Sequence, residues 1–342
     1  MKFENELNQV MNEKKDIPVK VRQSLDQTYD IIRTKSKKRK NNFIWKRVAT
    51  AACTLILASI VLTNEHVRAG MNELFNFGDQ GIEQAINNGF IQEDKSSVTD
   101  QGIKILLDKH FSDENKIGLS FQLVFEDPSI LNKAEEISMD FRLKNGDGDY
   151  IAEIIPDTKS LKGDNSYIGG YEPQNPVLDI KTGEIQYDVL LNSNEGVIPI
   201  LKDTIIEVES VNVFNETGTP KKINGDWKLS VTNSNKEKSA STIQYVMQDQ
   251  TSVFRISKAK ANPTSLNLIF SLDGIYDDEN SFAHRMKIIN EDGNVYEAGG
   301  FSMSTKNNET MISTNFPITS YNHSKKLKLI VEEIGEVELV QK

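Results

Sequence analysis

Residues 102–126 read GIKILLDKHFSDENKIGLSFQLVFE, and the reading of this stretch decides the fold. Ile103-Lys104-Ile105-Leu106-Leu107 and residues 117–123 are short apolar runs, and SDENK between them is a polar turn. The pattern predicts two antiparallel strands joined as a hairpin. The same grammar continues downstream. Residues 137–143 and 150–155 flank NGDGD, a hairpin turn by composition, and strand-like runs follow at 184–191, 203–214 and 226–231. After NSNKEKSAS (233–241), which has linker composition, the order repeats. FRISKAKANPTSLNLIFSLD (254–273) parallels 102–126, and MKIINEDGNVYEAG (286–299) parallels FRLKNGDGDYIAEI (141–154). KLKLIVEEIGEVELV (326–340) parallels the strand pair that ends in INGDWKLSV (223–231). The expected fold class is therefore mostly β, with two tandem Ig-like antiparallel β-sandwich domains over residues 98–232 and 240–342.

Upstream of these strands the signal changes twice. LFNFGDQGIEQAINNGF (74–90) reads as helix, with apolar Leu74, Phe75, Phe77, Ile82 and Ile86 and glycine breaks, and predicts a helical connector over 65–97. Before it, VATAACTLILASIVLT (48–63) is sixteen residues without a charge. As a helix it reaches ~24 Å against a ~30 Å hydrocarbon core. Phe43, Ile44 and Trp45 extend the apolar end, giving an expected transmembrane helix over 44–64. Trp45, Lys46 and Arg47 are placed at the membrane interface. A buried core helix and a late cleaved signal ending near Ala69 are the competing readings of the same run.

Charge distribution gives the run a direction. Residues 1–47 carry 13 Lys/Arg against 6 Asp/Glu, whereas the remainder carries 27 against 44. The basic approach places the N-terminus in the cytoplasm and the acidic body outside, as a single-pass cell-membrane protein. An acidic body lacks the basic footprint of nucleic-acid binding. A lone cysteine, Cys53, excludes an intrachain disulfide.

Two amphipathic patterns precede the basic cluster. Phe3, Leu7 and Val10 recur at helical spacing, as do Val21, Leu25, Tyr29 and Ile32, with Pro18 suited to opening the second helix. Helices this short are marginal alone, so over residues 1–40 they suit folding against a partner's groove. No catalytic constellation is legible: His66, His110, His284 and His323 are scattered, and no zinc spacing, phosphate loop or nucleophile elbow occurs. The expectation is a non-enzyme without metal or cofactor.

Four stretches together resemble a known family: IPVKVRQSLDQTYDIIRTK (17–35), KRVATAACTLILASIVLT (46–63), residues 74–127, and INGDWKLSV (223–231). They look like the membrane-anchored anti-sigma factors of Gram-positive bacteria whose outer part is of the "domain of unknown function 4179" type. That resemblance implies that residues 1–35 sequester an extracytoplasmic-function sigma factor. Phe3, Leu7, Val10, Val21, Leu25, Tyr29 and Ile32 would then be its contacts. An outside ligand, or a protease acting near residues 64–71, would release the factor. The tail lacks the His-x-x-x-Cys-x-x-Cys motif of another anti-sigma class, so such binding would be metal-free. A surface-displayed binding or structural protein with a passive tail is the alternative.

Overall fold

The computed structural model describes residues 75, 77–163, 167–193, 197–215, 220–231, 241–248, 253–276 and 282–342. The expected sigma contacts from Phe3 to Ile32, the 44–64 span and Trp45, Lys46 and Arg47 lie outside the described residues. Among those described, no helix is long and apolar enough to cross a membrane.

Among the described residues, one α-helix, α1 (Gln80–Asn87), precedes ten strands whose two sheets enclose a single core. They are β1 (Gln92–Glu93), β2 (Ser97–Asp100), β3 (Ile103–Ser112), β4 (Lys116–Phe125) and β5 (Ala134–Lys144), then β6 (Tyr150–Ile154), β7 (Ile168–Asp179), β8 (Glu184–Ser193), β9 (Ile205–Asn215) and β10 (Lys221–Ser230). All pair antiparallel. One sheet runs β1-β3-β4-β8-β7 with β2 also on β3, and the other runs β10-β9-β5-β6. Inward residues alternate along each strand: Leu119, Phe121 and Leu123 of β4 meet Met139, Phe141 and Leu143 of β5 in one buried cluster.

Trp227 ties the two sheets together. It is fully buried on β10, and its indole N–H donates to the carbonyl of Ile103 on β3 at 2.9 Å. The register of β10 on β9 shifts between Asn224 and Trp227. A Cβ on Gly225 would lie 2.4 Å from the indole, so the Gly-x-Trp pattern is steric: glycine leaves room for the ring beside the bulge.

A second core holds nine more strands. They are β11 (Ile243–Met247), β12 (Phe254–Ala261), β13 (Leu266–Asp273), β14 (Met286–Asn290), β15 (Val295–Glu297), β16 (Phe301–Lys306), β17 (Glu309–Phe316), β18 (Lys326–Val331) and β19 (Gly335–Gln341). Their order is β15-β14-β18-β19-β11-β12-β13-β17-β16. This repeats the first half pairing for pairing: β12-β13-β17-β16 answers β3-β4-β8-β7, and β19-β18-β14-β15 answers β10-β9-β5-β6. The order of elements expected from sequence is thus present as topology. The halves differ at the strand that closes them. β11 pairs with β12 through Ile243 and Gln244 and with β19 through residues 245–247, joining both sheets into one. Its counterpart β2 pairs with β3 alone, and side-chain bonds substitute on the other flank, Asp226 N–H to Asp100 and Ser230 N–H to Ser96.

Of the connector expected over 65–97, the described residues carry the helix Gln80–Asn87, and from Gln92 the chain is already in the sheet.

Candidate functional site

The segment that leads out of the apolar run is gripped where the two halves meet. The grip starts with a row across the outer face of the first sheet. Phe111, Gly118 and Leu190 are register neighbours on β3, β4 and β8. A Cβ on Gly118 would lie 2.1 Å from the Phe111 ring, so glycine lets that ring lie flat over the strand. Phe75 and Ile82 cover the row and are themselves buried, with Phe75 meeting Phe111 edge-on at 5.0 Å between ring centres. The next position outward is polar. Asp188 accepts from Ser120 Oγ at 2.7 Å and from the Phe75 backbone N–H at 3.1 Å, which fixes the incoming chain by its main chain as well as its ring.

Local sequence then builds α1. Asp79 caps it, accepting from the N–H groups of Gly81 and Ile82, and also pairs with Lys116. Gly89 at φ +77° ends it, with Gly89 N–H on the Ile86 carbonyl and Phe90 N–H on the Ala85 carbonyl. Gly78 and Gly89 are genuine breaks; Gly81 is not. It sits inside the first turn because a Cβ there would lie 2.1 Å from the Thr264 carbonyl oxygen of the second half. Gln84 adds a side-chain contact, accepting from Thr319 Oγ1 at 2.8 Å.

The joint under α1 consists of equivalent hairpin turns from the two repeats. Asp113, in the β3–β4 turn, accepts from the N–H groups of Asn115 and Lys116 through one oxygen. Its other oxygen accepts from Thr264 N–H at 2.9 Å and Thr264 Oγ1 at 2.7 Å, in the β12–β13 turn. Asn115 Nδ2 donates to Ser265, and Lys260 donates to both Glu114 oxygens at 2.7 Å. The corresponding turns of the two repeats thus meet directly. SDENK was legible as a turn; its second role depends on a partner turn 150 residues away in sequence.

Burial pushes the Asp113 and Asp188 carboxyls above the usual range, against the hydrogen bonds each accepts. Their stabilising contribution is therefore complete at acid pH and lost as pH rises through the raised folded-state values. His110, buried on β3 with Nδ1 3.8 Å from Asp94, behaves oppositely: burial lowers its pKa, with Asp94 opposing. It contributes stability above its ordinary value of ~6.5, lost as pH falls through the depressed folded value. His110→Gln is expected to flatten the fall in melting temperature between about pH 7 and pH 5. An unchanged acid slope in calorimetry would refute the assignment.

The turns NGDGD (145–149) and NEDGN (290–294) are held by the protein's own donors. Asn145 Oδ1 accepts from Lys202 N–H and Thr204 Oγ1, and Asn290 Oδ1 from the N–H groups of Asp292 and Asn294.

Residues 38–124 match the family model described as Domain of unknown function (DUF4179). The matched stretch takes in Asp79, Gly81, Phe111 and Gly118, the first-half side of the grip on α1. No curated protein matches the chain. Among solved structures, the crystal structure of the conserved domain protein from Bacillus anthracis is similar over 70% of this chain and 76% of that one, at 14% identity and a TM-score of 0.43.

Proposed function

We propose that this chain is a single-pass cell-membrane anti-sigma factor, not an enzyme. Its cytoplasmic tail holds an extracytoplasmic-function sigma factor, and its outer body governs release. One observation carries the reading: the segment just beyond the charge-free run is clamped by both halves of the β body. A passive anchor needs only a tether, whereas Phe75, Gly81, Ile82 and Gln84 are fixed by rings, hydrogen bonds and a close glycine contact. Two further features support it. Basic charge lies on one side of residues 48–63 and acidic charge on the other, and the DUF4179 match spans residues 38–124, from the basic approach into β4. We read the two halves as Ig-like sandwiches over 98–232 and 240–342, on the strength of their shared strand order.

In this reading, Phe3, Leu7, Val10, Val21, Leu25, Tyr29 and Ile32 fill grooves on the sigma factor. Trp45, Lys46 and Arg47 sit at the bilayer surface. The outside signal, a ligand or a protease near residues 64–71, must favour one state of the clamped segment over the other. The expected result with full-length protein is that a sigma factor co-purifies, and that Leu25→Asp with Ile32→Asp lowers its recovery at least about tenfold, as two buried charges would. Unchanged recovery would sink the residue assignment. No sigma factor with the unaltered chain would sink the function and leave a displayed protein with a passive tail.

A further inference from the structure

Beside the clamp lies a cleft of about 630 Å³, within the ~300–1,000 Å³ of small-ligand sites. Corresponding strands of the two repeats form its walls: the start of β7 and the end of β8 on one side, the start of β16 and the end of β17 on the other. The connector residues from Phe77 to Gln80 complete it. Each wall carries a glycine pair at the same end of the corresponding strand, Gly169-Gly170 and Gly299-Gly300. None of the four has the positive φ that would require glycine. Packing does not require the second pair either. A Cβ on Gly300 would meet nothing within 4 Å, and one on Gly299 only an ordinary contact at 3.4 Å. What their missing side chains leave open is backbone facing the cleft, the arrangement that admits a closely approaching ligand.

The remaining lining defines the ligand's chemistry. Phe77, Tyr296 and Phe301 are half-buried and offer apolar surface. Asn192 Nδ2 donates to Glu172 Oε1 at 2.7 Å, forming an amide–carboxylate pair, and Asn315 and Ser302 add hydrogen-bonding groups opposite. Lys116 is the one cation among the lining residues, and Asp79 holds it. An anionic ligand would find no free counter-charge and two carboxylates, Glu172 and Glu297. A pyranose ring matches all three properties: an apolar C–H face for the aromatic rings, hydroxyl pairs for amide and carboxylate, and no charge.

We propose that the cleft binds an uncharged oligosaccharide and that the bound sugar holds the connector in place. Binding itself does not depend on the anti-sigma reading; its consequence for release does. The test is calorimetric titration of the full-length protein with chitotetraose, cellotetraose and maltotetraose, with tetragalacturonate and a neutral tetrapeptide as competitors in class. Saturable binding of at least one neutral sugar is expected, at least about tenfold tighter than the anionic sugar or the peptide. Phe301→Ala and Gly300→Val, each checked for an unchanged melting temperature, should weaken it by a similar factor. No saturation with any neutral sugar up to about 10 mM, preference for the anionic sugar or the peptide, or full binding by both variants would overturn the site. Amide exchange across α1 should slow when sugar is bound; binding with unchanged exchange would overturn the coupling. Sigma-factor recovery, measured separately, reports on the functional reading alone.

Discussion

Trp227→Ala is expected to destabilise the first half by about 3–5 kcal/mol, the usual cost of emptying a buried aromatic site. The indole fills the space between the sheets, and its N–H satisfies the Ile103 carbonyl, so alanine leaves both a cavity and an unpaired acceptor. For a half of this size the loss corresponds to a melting temperature lower by on the order of 10–20 °C. Because the second half has its own core, calorimetry should resolve one transition that moves and one that moves little. Trp227→Phe, which keeps most of the packing but not the donor, should fall between. A Trp227→Ala loss below about 1 kcal/mol would refute the role assigned to the indole.

Gly81→Ala should destabilise the grip on α1, and the sign is the informative part. Helix propensity alone favours alanine by roughly 0.5–1 kcal/mol. The Cβ, however, would lie 2.1 Å from a backbone carbonyl of the other half, which cannot swing aside as a side chain could. Overpacking of this kind costs about 1–3 kcal/mol. An eight-residue helix has little stability once undocked, so α1 should melt rather than shift, uncovering Phe75 and Ile82. Hydrogen exchange would read this as faster exchange at residues 82–87 with β3, β4 and β8 unchanged. Protection equal to or greater than that of the parent protein would refute the close contact.

Much of the fold was legible because hairpins are local. The runs on either side of SDENK, NGDGD and NEDGN are β3–β4, β5–β6 and β14–β15, and their repeated order is the repeated topology. β7 was not assigned for a physical reason: Gly169, Gly170, Pro173 and Pro176 interrupt the strand pattern, yet an edge strand tolerates them because one flank needs no ladder. The grip was hidden for a different reason. Gly81 counted among the glycine breaks of 74–90, and Gly118 was one position in the 117–123 run. Each is set by an atom it must not touch, Thr264 O and the Phe111 ring, and neither distance is visible before the chain folds back. Asp113 and Asn115 likewise satisfied a turn pattern whose partners lie in the other repeat.

The reach of these contacts sets the order of events at the ribosome. Gln84 meets Thr319 across 235 residues, and Gly81 meets a turn in the second half. A nascent chain can complete the first-half strands while α1 still lacks half its seat. The clamp closes only when residues 264–319 have emerged and paired, the slow, long-range step of folding. Any product ending before Thr264 keeps the basic cluster, the charge-free run and the first core but lacks the second-half side of the lock. Translation of the second half is thus recorded, mechanically, in a helix of the first.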